Sequence, residues 1–257
     1  MKKWLRFSRR GLLLGVACGL LSLALMGGEA RAGILQITIS EGATSYIILD
    51  EGPLDTLVAP PPSNINKIQA LAAALVFPDY KVIGLNASTN NPGASDNANI
   101  VVGGEVQKIT NGVAPPLIIT LTQTDYSLPP SPRQMQLISS TQFTGAPVGD
   151  TKTANAWYNP SNVPYAKDIP QLALPFSYSS TGPALNGVTV FSGELAVPPA
   201  PLYGLTAQTV VTMTAAGGDL VFGGSLRVTT IPEPASMSLL ALGLPLTVWT
   251  LIRRRRA

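Results

Sequence analysis

Leu35-Gln36-Ile37-Thr38-Ile39-Ser40 alternates apolar and polar side chains over six positions, and this pattern determines the fold class of the chain. Successive side chains of a β-strand point to opposite faces, so a period of two predicts a strand with one buried face. Alternating or β-branched stretches of this kind recur between turn residues at 34–40, 44–50, 81–89, 100–110, 117–124, 134–144, 172–179, 188–197, 207–215 and 220–230.

About ten strands with few charges, 23 prolines and 24 glycines predict an all-β fold. We expect one antiparallel β-sandwich or jelly-roll-like domain over residues 33–230. Hairpin turns are expected at Asn111-Gly112 and Asn186-Gly187, and further turns or bulges at Gly103-Gly104, Gly217-Gly218 and Gly223-Gly224. Residues 66–76 are either a helix or a buried strand, and residues 146–170 form the longest stretch without a clear strand.

The N-terminus carries the features of a secretory signal peptide. Five Lys and Arg residues lie within positions 2–10, and an apolar run occupies positions 11–26. Ala30-Arg31-Ala32 is a small-x-small cleavage site, so residues 1–32 are predicted to be removed and the mature chain to begin at Gly33. Because Arg9 and Arg10 are adjacent, both the general secretory route and the twin-arginine route stay open.

The C-terminus, residues 231–257, has three parts. The stub Ile231-Pro232-Glu233-Pro234 resists helix formation, because proline lacks a backbone N–H and disfavours helix at the preceding residue. Residues 235–252 contain no charge and predict a transmembrane helix that is kinked at Pro245. Four arginines follow, and by the positive-inside rule they place the C-terminus in the cytoplasm; they are Arg253, Arg254, Arg255 and Arg256.

This tail resembles the PEP-CTERM sorting signal of Gram-negative envelope proteins, over about a tenth of the chain. The resemblance implies recognition by an exosortase, a membrane transpeptidase that cuts near the stub and passes the protein to the cell surface or an extracellular matrix. It assigns recognition to Pro232, Glu233 and Pro234 and retention to the arginine cluster. The alternative is a simple tail anchor that stays in the inner membrane.

Composition limits the chemistry of the exported domain. The chain as a whole has a formal charge of +3, but ten of its seventeen basic residues lie in the two signals, which leaves residues 33–231 at about −5. We therefore expect no nucleic-acid partner. There is no histidine, and the only cysteine, Cys18, lies in the signal peptide. This composition excludes catalysis by Ser-His-Asp or Cys-His groups, a zinc site with histidine or cysteine ligands, and disulfides. We expect no metal or cofactor.

Three groups of residues are candidate sites, and each has a structural alternative. Trp157, Tyr158 and Tyr165 form a possible ligand loop for sugar rings, or Trp157 plugs one end of the sandwich. The amide-rich stretch from Asn86 to Asn99 is a calcium candidate or a polar turn cluster. The carboxylates near the first hairpin are a candidate catalytic pair or solvated loop charge; they are Glu41, Asp50, Glu51 and Asp55.

The sequence thus predicts an exported, non-enzymatic structural or adhesive protein of the cell surface or extracellular matrix. Its expected partners are the export machinery, an exosortase and the inner membrane, with exopolysaccharide as a further candidate. A carbohydrate-binding module that uses the Trp157 loop is the second hypothesis, and a carboxylate-dependent hydrolase is the third.

Overall fold

The structure, a computed structural model, describes residues 33–57, 66–71, 75, 77–172 and 174–231. These residues form two seven-stranded antiparallel sheets and contain no helix. The predicted antiparallel β-sandwich is therefore confirmed. Buried side chains from both sheets belong to one hydrophobic core.

The first sheet has the order β10-β8-β13-β6-β1-β2, with β9 paired to β8. Its strands are β1 (Leu35–Glu41), β2 (Thr44–Leu49), β6 (Leu117–Tyr126), β8 (Thr151–Asn159), β9 (Ile169–Pro170), β10 (Phe176–Ser179) and β13 (Tyr203–Thr212). The second sheet has the order β11-β7-β14-β5-β4-β3, with β12 paired to β7. Its strands are β3 (Lys67–Leu71), β4 (Tyr80–Thr89), β5 (Asn97–Lys108), β7 (Arg133–Thr144), β11 (Asn186–Phe191), β12 (Leu195–Val197) and β14 (Asp219–Thr230).

The alternation in β1 works as predicted. Leu35, Ile37 and Ile39 are at most 1% exposed and face the core, whereas the residues between them are half-buried on the outer face. β1 and β2 form a hairpin in which Glu41 faces Thr44. Gly42, at a φ of 56°, supplies the left-handed conformation that this tight connection requires.

Two predicted hairpins are wrong, because the chain crosses between the sheets. β5 lies in the second sheet and the next strand, β6, in the first. Likewise, β10 lies in the first sheet and β11 in the second. Asn111-Gly112 therefore bends the chain from one sheet to the other, and Asn186-Gly187 begins β11. An Asn-Gly pair predicts a change of direction but does not specify which strands become neighbours.

The turns or bulges predicted at Gly103-Gly104 and Gly223-Gly224 are also wrong. Both pairs lie in the middle of long strands, β5 and β14, with Gly103 directly opposite Gly223. Gly217-Gly218, by contrast, does lie in the turn before β14.

Two stretches for which the sequence predicted no definite strand each contain one. Residues 67–71 of the 66–76 segment form β3, where Ile68 and Ala70 are buried, so the strand alternative holds there; residues 72–74 and 76 lie outside the described residues. The segment 146–170 is not irregular throughout, because it contains the nine-residue strand β8.

Candidate functional site

A trough crosses the outer face of the second sheet. It consists of two shallow depressions of about 380 and 400 Å³ that share Val221. The trough follows from the strand register. Residues directly opposite one another on neighbouring strands form a row across the sheet. The central row consists of Thr189, Ser140, Gly223, Gly103, Asn86 and Gln69.

Gly84 and Gly103 form the floor of the depression over β4 and β5. A Cβ added to Gly223 would lie 2.6 Å from Ser140 Oγ, and one added to Gly103 would lie 3.2 Å from Asn86 Oδ1. Because Gly103 and Gly223 have no side chain, the side chains of Asn86 and Ser140 on the flanking strands lie close over the backbone there. Gly84 has no atom within 4 Å of an added Cβ, so its part of the trough is open.

Neutral polar side chains form the walls. Asn86 and Gln142 are exposed, and Glu105, the one charged residue among those that line the two depressions, is half-buried. The hydrogen bonds within the described part of the chain use none of these three side chains. Their amide and carboxylate groups are therefore free to bind a ligand from solvent.

The predicted ligand loop has a different geometry. Trp157 lies on β8 and points to the outer face of the first sheet, where it is 9% exposed and Lys167 Nζ lies 4.8 Å from the ring centroid. Tyr158 is the next residue, so it points the opposite way, into the core; its hydroxyl donates to Pro198 O at 3.1 Å and accepts from Arg133 at 3.2 Å. The two rings share no face.

The loop after β8 is packed onto the outer face of the first sheet. Tyr165 accepts a hydrogen bond from Thr38 Oγ1 at 2.5 Å, and its backbone N–H donates to Thr122 Oγ1 at 3.2 Å. Burial raises the pKa of the Tyr165 hydroxyl. Together, Lys167 and this loop cover Trp157.

Neither of the other two candidate groups forms one site. Asn86 lies in the trough, whereas Asn90 and Asn97 are hydrogen-bonded to each other in the turn before β5. Within the described ranges, no three acidic residues, histidines or cysteines are placed so that they could hold a metal ion together. Asp50 accepts from Asn66 N at 2.7 Å and Asp55 from Gln69 N at 3.0 Å, so both carboxylates bind the backbone of β3 or of the residue before it.

Most of the predicted signal residues lie outside the described residues. This applies to Ala30, Ala32, the Pro232-Glu233-Pro234 stub, residues 235–252 and the arginine cluster 253–256. Gly33 is described and buried, and an added Cβ would lie 1.9 Å from Thr124 O. Within the described ranges there is no helix with the length and hydropathy needed to span a membrane.

No protein-family model matches the chain, and no curated protein matches it. The solved structures that match part of the chain include carbohydrate-binding modules. The C-terminal CBM6 of LamC, a marine laminarinase from Zobellia galactanivorans, matches over 64% of this chain and 99% of its own, with 12% identity and a TM-score of 0.24. TmCBM27, a mannan-recognising module, matches over 58% and 88%, with 10% identity and a TM-score of 0.26. The adhesin domain K3 of Lys-gingipain from Porphyromonas gingivalis matches over 50% and 74%, with 11% identity and a TM-score of 0.23. At such scores the likeness carries no inference about a ligand.

Proposed function

We propose that this protein is an exported carbohydrate-binding protein of the cell surface or extracellular matrix, and that the glycine-floored trough of the second sheet is its binding site. The observation that carries the proposal is the set of unpaired amide side chains along an open trough. Asn86 and Gln142 each offer a donor and an acceptor without an internal partner.

The chemistry of the trough suits a neutral polysaccharide. Each sugar presents hydroxyl groups that both donate and accept, which is what amide and hydroxyl side chains pair with. A row across six strands spaced about 4.8 Å apart is roughly 24 Å long, enough for several sugar rings. The charge of about −5 on residues 33–231 disfavours polyanionic ligands.

Binding without hydrolysis is the activity that the trough supports. Glycosidases of the usual kind need two carboxyl groups that face the scissile bond. Glu105 is the one carboxylate among the residues that line the two depressions. We therefore propose a binding role, with delivery to the surface by an exosortase through the C-terminal tail.

Filling the trough tests this proposal. Gly84→Leu places a side chain in open space and is expected to weaken retention by a neutral β-glucan, mannan or galactan at least about tenfold, because it occupies the volume of the ligand. The measurement is affinity gel electrophoresis of the protein with each polysaccharide. Gly193→Leu is the matched control, since an added Cβ there also meets no atom within 4 Å but lies outside the trough.

Two outcomes would contradict the trough as the site. One is the absence of retention by every neutral polysaccharide tested. The other is equal retention of the wild type and Gly84→Leu together with its loss in Trp157→Phe, which would return the site to the predicted loop.

A further inference from the structure

A second cluster of polar residues lies at one end of the sandwich, away from the trough. Lys108, the last residue of β5, has a fully buried side chain, and its Nζ lies 3.2 Å from Asp79 Oδ1. Asp79 immediately precedes β4, the neighbouring strand, in which Tyr80 is directly opposite Lys108. Thr110 holds the pair together, because its hydroxyl accepts from Lys108 at 2.8 Å and donates to Asp79 Oδ1.

The opposite sheet contributes a third ionisable group. Glu41, the last residue of β1, is 2% exposed, and its Oε2 accepts a hydrogen bond from Asp79 N at 3.2 Å. Its Oε1 is buried without a partner among the described residues. Burial raises the pKa of Glu41, while the hydrogen bond from Asp79 N lowers it and the negative charge of Asp79 raises it. The net rise favours the protonated form of Glu41 more than in an exposed glutamate.

Aromatic carbon encloses the lysine. Lys108 Nζ lies 5.0 Å from the centroid of the Tyr80 ring, and Tyr80 is fully buried with its hydroxyl accepting from Met213 N at 3.0 Å. The amine therefore has a carboxylate, a hydroxyl and an aromatic ring as its neighbours. A primary amine beside a carboxyl group and a proton carrier is the arrangement that amide formation requires.

We propose that Lys108 and Asp79 become joined by an intramolecular isopeptide bond, with Glu41 as the proton shuttle. Glu41 gives its proton to the Asp79 carboxylate, and the Lys108 ammonium returns one to Glu41. The neutral Nζ then attacks Cγ of Asp79, and the bond from Cγ to the protonated carboxyl oxygen breaks. This hydroxyl takes one proton from Nζ and leaves as water. The ammonium and the carboxylate are thus converted into one amide and one water molecule, with no change in oxidation state and no other reactant.

The position of the two groups favours this condensation. Two groups held in contact in a reactive geometry reach effective molarities of about 10⁵–10⁸ M. The side chain of Lys108 is fully buried, and that of Asp79 is 26% exposed, so the water that is formed can leave toward solvent. The bond would tie β4 to β5. Residues 33–231 contain no cysteine, so the exported domain has no disulfide to serve the same purpose.

Lys152 supplies a matched comparison. It is also buried, at 2% exposure, but its Nζ donates to Ser139 Oγ at 2.5 Å and to Ser140 O at 2.9 Å. Neither partner is a carboxyl group. Of these two buried lysines, only Lys108 is placed to condense with a carboxyl group.

Mass spectrometry of the purified full-length protein tests the proposal. The wild type is expected to be lighter than its sequence by one water, and tryptic digestion is expected to yield a linked peptide that contains both Asp79 and Lys108. Glu41→Gln, which keeps the size of the side chain but removes its acid, is expected to restore the full mass, as is Lys108→Met. Lys152→Met is expected to keep the mass deficit.

The wild type alone decides the central claim, whether or not a variant folds. A full sequence mass in folded wild type would overturn the bond, as would a water loss that maps to a single unlinked peptide. A linked peptide in folded Glu41→Gln would overturn the role of Glu41.

Discussion

Lys152 and Arg133 are cations placed in the core without a carboxylate partner among the described residues. Arg133 is 3% exposed, with its guanidinium carbon 4.5 Å from the centroid of the Tyr203 ring and one nitrogen donating to Ala200 O at 3.1 Å. Lys152 borders a small cavity of about 80 Å³ between the sheets. Hydrogen bonds to hydroxyl and carbonyl oxygens hold both charges in place, but a buried charge without a counter-ion has a net cost.

The cost at Lys152 makes stability depend on pH. Burial lowers the pKa of Lys152 from 10.5 to about 8, which corresponds to about 3 kcal/mol. Below about pH 8 the amine is charged in both the folded and the unfolded chain, so the whole cost opposes folding. Between about pH 8 and 10.5 the folded amine is already neutral while the unfolded amine still binds a proton, so the free energy of unfolding rises with pH.

Lys152→Met is expected to raise the free energy of unfolding at pH 7 by about 1–3 kcal/mol, because it removes a buried charge and keeps an apolar side chain of similar length. The gain is expected to shrink as pH rises through the same range, since the wild type loses its penalty there. Urea unfolding of both proteins at a series of pH values measures the difference, in which the other titrating groups cancel. A difference that is constant with pH would contradict a lowered pKa at this lysine.

At the level of elements, the loop after β8 is held as a cover over the outer face of the first sheet. Asn162 fastens it to the end of β6, because its Oδ1 accepts from Asp125 N at 2.8 Å and its Nδ2 donates to Asp125 Oδ1 at 2.5 Å. Asn162 has a φ of 54°, a left-handed conformation that asparagine tolerates better than most residues. Trp157 lies beneath this cover.

Releasing the loop is expected to expose Trp157. Asn162→Ala removes both side-chain hydrogen bonds and adds strain at a positive φ, so it is expected to lower the free energy of unfolding by about 1–3 kcal/mol. Trp4→Phe and Trp249→Phe leave Trp157 as the only tryptophan. In this background, Asn162→Ala is expected to shift the fluorescence of Trp157 to longer wavelength. Asn162→Gly removes the same bonds without the strain and is expected to show the same shift with a smaller loss of stability. An unchanged spectrum in both variants would mean that the loop holds its place without Asn162.

Elements with large apolar residues on the inward side were predictable, and elements without them were not. β1 places Leu35, Ile37 and Ile39 inward, and the alternation is plain in the sequence. β8 places Lys152, Ala154 and Ala156 inward, and small or charged residues at the buried positions hide its period of two. The central glycines of β5 and β14 were predicted as turns or bulges, because glycine is common in both. In these strands the glycine lies opposite a residue that is distant in sequence, so the sequence pattern does not reveal the pairing.

At the scale of the whole molecule, one end of the sandwich and one outer sheet face carry the two proposed activities. The trough uses mainly uncharged side chains on exposed sheet surface, with Glu105 as its one charged residue. The Lys108 cluster combines the buried Lys108 and Glu41 with the partly exposed Asp79 where β1, β4 and β5 meet. The two proposals are independent, because no residue is shared between the sites.

The proposed route of the molecule predicts its mature ends. Protein recovered from the cell envelope and the medium is expected to lack residues 1–32 and the residues that follow the Pro-Glu-Pro stub, because the signal peptidase and the exosortase each remove a segment. Intact mass and terminal peptides measure this directly. Retention of Arg253–Arg256 would indicate a permanent tail anchor, and recovery from the cytosol with both ends intact would contradict export altogether.

The amino-acid sequence by itself determined the class of fold and the kinds of chemistry open to the exported domain. A period of two in side-chain polarity requires sheets with one buried face, and the lack of histidine and cysteine in residues 33–231 is a property of composition. Only the tertiary structure decided which strands are neighbours, and so which side chains meet. Gly103 and Gly223, or Glu41, Asp79 and Lys108, come together because of strand register and sheet packing between distant segments. A local sequence pattern indicates which way a side chain faces. The residue that it contacts across the sheet depends on the free energy of the assembled core.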